Sequence, residues 1–168
     1  GRIERITRLA ADKTAQAHSR AAAVFTLGQF DEESVVSRLL RLAETGGARE
    51  FALRALTDRR GRIKDIPTPP FVAALEDPNP RVRAQALISL GRMGRKDTAK
   101  AILPLTRRDP GQKPPSKTPL HKQPDPGRVI PHLAVRALVA IGNVELLLGA
   151  VDGPDHAGQK GSGVGELK

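Results

Sequence analysis

The sequence predicts an all-α superhelix: about four helical hairpins stacked in a row, with one further helix at the N-terminal side. Three observations carry that prediction. A ten-residue pattern occurs four times, aromatic residues are nearly absent, and prolines and glycines gather between the copies of the pattern.

The copies span 19–28, 48–57, 82–91 and 133–142. Ala holds the fifth position of each (Ala23, Ala52, Ala86, Ala137), and an aliphatic residue follows (Val24, Leu53, Leu87, Leu138). Three positions later comes Leu27, Leu56, Leu90 or Ile141. Offsets of three and four mark one face of a helix, and the recurring Ala marks where a neighbouring helix comes close. Gly28, Gly91 and Gly142 close three copies and are expected to supply the left-handed turn that ends a helix.

An N-terminal helix carrying Ile3, Ile6 and Leu9 covers the exposed end of the stack. A second helix is expected after each copy. Asp31 is placed to cap one carrying Val35, Val36, Leu39, Leu40 and Leu42, closed by Gly46 and Gly47. Thr68 is placed to cap the next, with Pro69 in its first turn and Phe71, Val72 and Leu75 inward. Asp97 is placed to cap the third, with Ile102, Leu103 and Leu105, which Pro104 shortens. The fourth runs from Val144 to Val151 with Leu146, Leu147 and Leu148.

The spacings between corresponding ends, Gly28 to Thr57 to Gly91 to Gly142, are 29, 34 and 51 residues. The last is long because 109–131 holds seven of the fourteen prolines, together with Lys113, Lys117, Lys122 and Arg128. We read it as an extended basic insertion. The organisation is therefore a capping helix over 1–18, repeats over 19–151 interrupted at 109–131, and a flexible tail over 152–168 with five glycines.

Composition narrows the function. With four Phe and no Tyr or Trp, the core must be Leu, Val, Ile and Ala. Without Cys there are no disulfides, thiolate metal sites or cysteine nucleophiles. No apolar run reaches the roughly 18 residues of a membrane span, and no signal peptide is recognisable. The start at Gly1, with Met93 as the sole Met, reads as a processed chain or a piece of something longer. The net charge of +10 invites nucleic acid, acidic proteins or anionic lipid as partners. Because 28 Lys and Arg are interspersed with 18 Asp and Glu, solubility accounts for it as well.

Around Leu75-Glu76-Asp77-Pro78-Asn79-Pro80-Arg81-Val82-Arg83-Ala84-Gln85-Ala86-Leu87, with Leu90-Gly91 after it, the chain resembles a HEAT repeat. More narrowly, it resembles the bacterial HEAT-like type first named for phycobilisome lyases. The resemblance covers about 19–151 outside the insertion and implies an α-α superhelix that binds other proteins. The segment Pro131-His132-Leu133-Ala134-Val135-Arg136-Ala137-Leu138, with Asp152-Gly153-Pro154 further on, is similar to HEAT regions of large exported planctomycete-type proteins. There, such arrays adjoin a propeller and a cytochrome c module. That likeness implies a periplasmic or exported location; without it the expectation is cytoplasmic. No haem-attachment motif or propeller repeat occurs here, and no catalytic candidate supports a tetrapyrrole lyase.

The four His (His18, His121, His132, His156) lack metal-ligand spacing, and His132 is expected to open a helix and hold the insertion. No nucleophile elbow or phosphate-cradling loop occurs. The chain is therefore read as non-catalytic, without cofactor or metal. Arg20, Arg49 and Arg83, at the second position of their copies, are expected to form a ladder to acidic residues, with Asp31 and Asp77 as acceptors. The alternative is a guanidinium row gripping phosphate or carboxylate. Arg54, Arg59, Arg60, Arg62 and Lys64, with Arg92, Arg95 and Lys96, are expected to make a basic edge for a partner. Arg107, Arg108, Lys113, Lys117 and Lys122 extend it.

These features predict a protein-interaction or scaffold module, whose partner is another protein or the flanking domains of a parent protein. The alternative is a non-specific nucleic-acid backbone binder, less favoured because no Tyr or Trp is present to stack bases.

Overall fold

A computed structural model describes residues 1–44, 46–107 and 126–151, and every regular element among them is helical. The helices are α1 (Arg2–Ala11), α2 (Ala17–Leu27), α3 (Glu33–Glu44), α4 (Arg49–Asp58), α5 (Pro69–Ala73), α6 (Pro80–Met93), α7 (Ala99–Ile102), α8 (Pro126–Ile141) and α9 (Val144–Val151). Together they form an α-α superhelix.

Local chemistry sets the boundaries. Asn79 caps α6 by accepting the Arg81 N–H at 3.0 Å, Pro80 opens the helix, and Gly94 ends it at φ 64°. Pro78 and Pro80 cannot donate, so α5 stops early and passes through a 3-10 turn, Ala74–Glu76. Pro104 does the same to α7, which continues only as the 3-10 turn Leu103–Thr106. Between α1 and α2, Asp12 Oδ1 accepts the Thr14 hydroxyl at 2.6 Å and the Thr14 N–H at 2.8 Å. Those donors hold its carboxyl below the usual carboxylate range.

Two of the expected caps are placed differently. The Asp31 carboxylate is taken by arginines of the next hairpin, and α3 starts at Glu33. Asp97 lies inside a 3-10 turn (Lys96–Thr98), and Thr98 occupies the position before α7. Thr68 does stand at the N-cap of α5 but makes no side-chain cap bond there; its carbonyl accepts from Phe71 and Val72. Residues 126–131 of the expected insertion belong to α8, with Pro131 inside the helix. The rest of the insertion, and the tail from 152, lie outside the described residues. His132 lies in the second turn of α8, exposed, rather than opening it.

The four motif segments fall in α2, α4, α6 and α8, and their fifth, sixth and ninth residues are all buried. Packing pairs α1 with α2, α3 with α4, α5 with α6 and α7 with α8, so the helix left over is α9. The motif helices then stack α2 on α4 on α6 on α8, while α1, α3 and α5 follow one another on the other side. Each layer touches its neighbours, as in other one-dimensional arrays.

The motif glycines serve closeness rather than chain reversal. Gly28 has φ −58°, and Gly91 lies within α6; of the three only Gly142 is left-handed, at φ 65°. A Cβ on Gly28 would lie 3.6 Å from Ala55 Cβ, and one on Gly91 only 3.1 Å from Ala137 Cα. The tenth position of each motif thus faces the eighth or fifth position of the next. In the second copy that position is Thr57, whose Oγ1 lies 3.0 Å from Ser89 Oγ, both fully buried. Ser89 also meets the Leu53 carbonyl at 3.3 Å and Gln85 at 3.1 Å, so the buried hydroxyls are satisfied.

Overpacking these contacts should be costly. Ala86→Leu and Gly91→Leu are each expected to lower unfolding free energy by about 1–3 kcal/mol. Ala22→Leu, at an exposed site of α2, should stay within about 0.5 kcal/mol of the parent. Urea unfolding monitored by circular dichroism ranks the three.

Candidate functional site

Arginines line two edges of the array. The first is formed by turns within hairpins and the starts of motif helices. Arg49 Nη1 pairs with Asp77 Oδ2 at 2.5 Å, and its Nε donates to the Ala43 carbonyl at 2.8 Å. This guanidinium therefore ties its own turn to that of the next hairpin. The pair is largely out of water, with side chains 18% and 11% exposed. Arg83 donates to the Asp77 carbonyl at 2.8 Å and the Pro78 carbonyl at 3.3 Å. Arg20 packs its guanidinium on Gly47, where any Cβ would collide with it, and its buried Nε has no partner. Outside these, Arg81 grips Glu50 with both Nε (3.0 Å) and Nη2 (3.1 Å).

The second edge is formed by turns between hairpins. Arg59 and Arg62 both bind the Asp31 carboxylate. They also donate to the Gln29 and Phe30 carbonyls, at 2.7 and 3.1 Å. One repeat on, Arg95 donates to the Lys64 and Ile66 carbonyls at 2.5 and 3.3 Å, and Arg92 pairs with Asp58 at 2.7 Å. Asn143 Nδ2 extends the series to the Lys96 carbonyl at 3.2 Å. Apart from the ion pairs to Asp31 and Asp58, these bonds share one physical reason: carbonyls beyond a helix C-terminus lack intrahelical donors. A guanidinium supplies several donors in a fixed fork together with a charge that the helix end favours.

These contacts place the expected site residues. Arg59, Arg62, Arg92 and Arg95 join consecutive turns, and Arg54 pairs with Asp58 at 3.4 Å while its guanidinium lies 5.4 Å over the Phe25 ring. Arg60, Lys64, Lys96 and Arg107 are exposed. Arg108, Lys113, Lys117 and Lys122 lie outside the described residues, as do His121 and His156. Of the ladder residues, Arg49 meets Asp77. Asp31 is engaged from the following hairpin rather than by a motif arginine. Among the described residues no cluster of His, Asp and Glu could hold a metal, and no helix is long and apolar enough to cross a membrane.

Sequence reasoning missed Asn143, which bridges to Lys96 and also accepts the Leu146 N–H at 3.3 Å to cap α9. Its position directly before an aliphatic run was the available signal. It also missed an aliphatic surface at the C-terminal side. Val135, Val139, Val144 and Leu148 are exposed, beside a groove of ≈ 600 Å³ lined by Leu103, Pro104, Leu138 and Leu147 among others.

Residues 47–113, from the turn before α4 past the end of α7, match the family model described as HEAT repeats. No curated protein and no solved structure matches the chain.

The two kinds of arginine pair should separate in double-mutant cycles. Arg49→Ala with Asp77→Ala is expected to show a coupling of about 1–2 kcal/mol. Arg81→Ala with Glu50→Ala, where the Arg81 side chain is 71% exposed, should show about 0.5 kcal/mol or less. Equal couplings would contradict the burial argument.

Proposed function

We propose that this chain is a non-catalytic protein-interaction module, a scaffold or spacer built from HEAT-type hairpins. HEAT repeats generally mediate protein contacts, and residues 47–113 are of that kind. The observation that carries the reading is the contrast between its surfaces. Most guanidinium groups of the expected basic edge hold the array's own turns together. Meanwhile aliphatic side chains on α8 and α9 face solvent, with Val139 72% exposed. Exposed aliphatic patches of this sort mark protein contact sites more than phosphate contacts.

The similarity of 131–138 to HEAT regions of large exported bacterial proteins supports a place within such a protein, beside other domains. The bacterial HEAT-like pattern at 75–91 supports the same origin. On this reading the exposed Arg60, Lys64 and Lys96 form a polar rim that steers a partner without specifying it, and Arg107, Arg108 and the lysines of 109–131 add to the positive charge that does so.

One experiment separates protein from nucleic acid as the partner. A photo-crosslinking amino acid is placed at Val139 in one variant and at Arg60 in another, each expressed in the source cells. Adducts are then digested with protease or nuclease. We expect a discrete, protease-sensitive adduct at Val139. Nuclease-sensitive adducts at Arg60, with none at Val139, would overturn the proposal in favour of backbone binding.

A further inference from the structure

Neighbouring motif helices meet side by side, and what bridges the seam between them differs from pair to pair. Between α2 and α4, Phe25 and Phe51 pack edge-on with ring centroids 6.0 Å apart, and the Arg54 guanidinium lies 5.4 Å over the Phe25 ring. Between α4 and α6, Ser89 meets Thr57 while Gln85 holds it, and Arg92 reaches Asp58 at 2.7 Å. Between α6 and α8 the backbones come close at Gly91 and Ala137. Among the described residues no ring contact, hydrogen bond or ion pair crosses that third seam. It is a groove of ≈ 490 Å³, whose lining includes Ile88, Gly91, Leu133 and Ala140 together with Arg92 and Arg136.

The fourth motif position explains the difference. Phe51 and Gln85 hold that position in the second and third copies and spend their side chains on the seam beside them. In the fourth copy it is Arg136, exposed and without a hydrogen bond or ion pair among the described residues. Arg92, also in the groove, shares the Asp58 carboxylate with Arg54. Of these three guanidiniums, therefore, only one charge is balanced. No acidic side chain lines the groove.

We propose that the groove between α6 and α8 binds an acidic peptide segment of a partner protein. An aliphatic side chain seats between Ile88 and Ala140, and a neighbouring carboxylate reaches Arg136. The proposal rests on reading the chain as a protein-interaction module. Charge complementarity selects the occupant: the unbalanced guanidiniums call for an anion, and the aliphatic lining calls for an apolar group close beside it. A Glu or Asp next to Leu, Ile or Val supplies both, and a planar carboxylate matches the guanidinium fork. A nucleic-acid backbone offers the anion without the aliphatic group, and no aromatic side chain lines the groove to stack a base.

The probe is a random peptide library displayed on phage and selected on the immobilised full chain, followed by anisotropy titration of the enriched peptides. Enrichment of acidic residues adjacent to aliphatic ones is expected. Arg136→Glu should weaken those peptides about ten-fold or more, with thermal melting of the chain unchanged because the side chain is exposed and unpaired. Ala140→Trp, which fills the groove from an exposed site, should block them as well. Lys13→Glu makes the same charge change at an exposed turn between α1 and α2 and should leave binding as it was. No enrichment, enriched peptides without acidic residues, or binding indifferent to Arg136→Glu overturns the proposal. So does duplex DNA that competes with the peptides and is itself lost in Arg136→Glu, since the groove would then take phosphate. Self-association in sedimentation velocity that Arg136→Glu removes would give the groove to a second copy and overturn it too. If the selection fails while a protein adduct still forms at Val139 in cells, this inference falls and the module reading stands.

Discussion

Consecutive motif helices touch through residues with almost no side chain, and that contact sets the spacing of everything around it. Gly28 on Ala55 and Gly91 on Ala137 bring backbones within reach of one another. The flanking Val24, Leu53, Leu87 and Leu90 can then fill the space on either side without aromatic bulk. A core of this kind explains why four Phe and no Tyr or Trp suffice. Interiors pack to near-crystalline density, so close helices lined by small residues need no large ones. The exception is Phe71, fully buried, which fills the layer where α5 is only a short helix.

Close stacking leaves the helix ends to be satisfied, and here the basic composition finds its use. Arg49, Arg59, Arg62, Arg83 and Arg95 each deliver N–H donors to backbone carbonyls of turns. A lysine could supply charge there but not a planar fork spanning two acceptors. Each such contact is modest by itself, since surface ion pairs contribute little. They act beside the hydrophobic layers and fix the angle at which one hairpin follows the next. The net charge of +10 is thus in good part structural, while Arg60, Lys64 and Lys96 stay exposed.

How much of this the sequence discloses varies with the kind of contact. The motif helices were legible because the spacing of Ala23, Val24 and Leu27, and of their counterparts, depends only on helical periodicity. The glycines were not, because a Gly that ends a helix and a Gly that admits a neighbour look alike in one dimension. Gly142 fits the first description and Gly91 the second. Asp31 and Asp97 precede helices in the manner of caps, yet a carboxylate within reach of two guanidiniums serves those instead. The hairpin partner of each motif helix was also hidden, since a repeat of roughly constant length has the same period whichever neighbour closes the pair. The aliphatic surface on α8 and α9 was concealed because Val135, Val139 and Leu148 read as ordinary core positions.

That the tenth position of one motif faces the small residues at the fifth or eighth position of the next is the claim on which the fold and its arginine edges rest. Its most direct test is second-site compensation at the polar rung, where Thr57 and Ser89 lie 3.0 Å apart. Ser89→Val overfills the contact, and adding Thr57→Gly empties the opposite side. The quantity to measure is the coupling free energy between them in urea unfolding. The account predicts that the double variant recovers a substantial part of the stability lost by Ser89→Val. Strictly additive losses would mean that these positions do not face each other and that the stacking register is wrong.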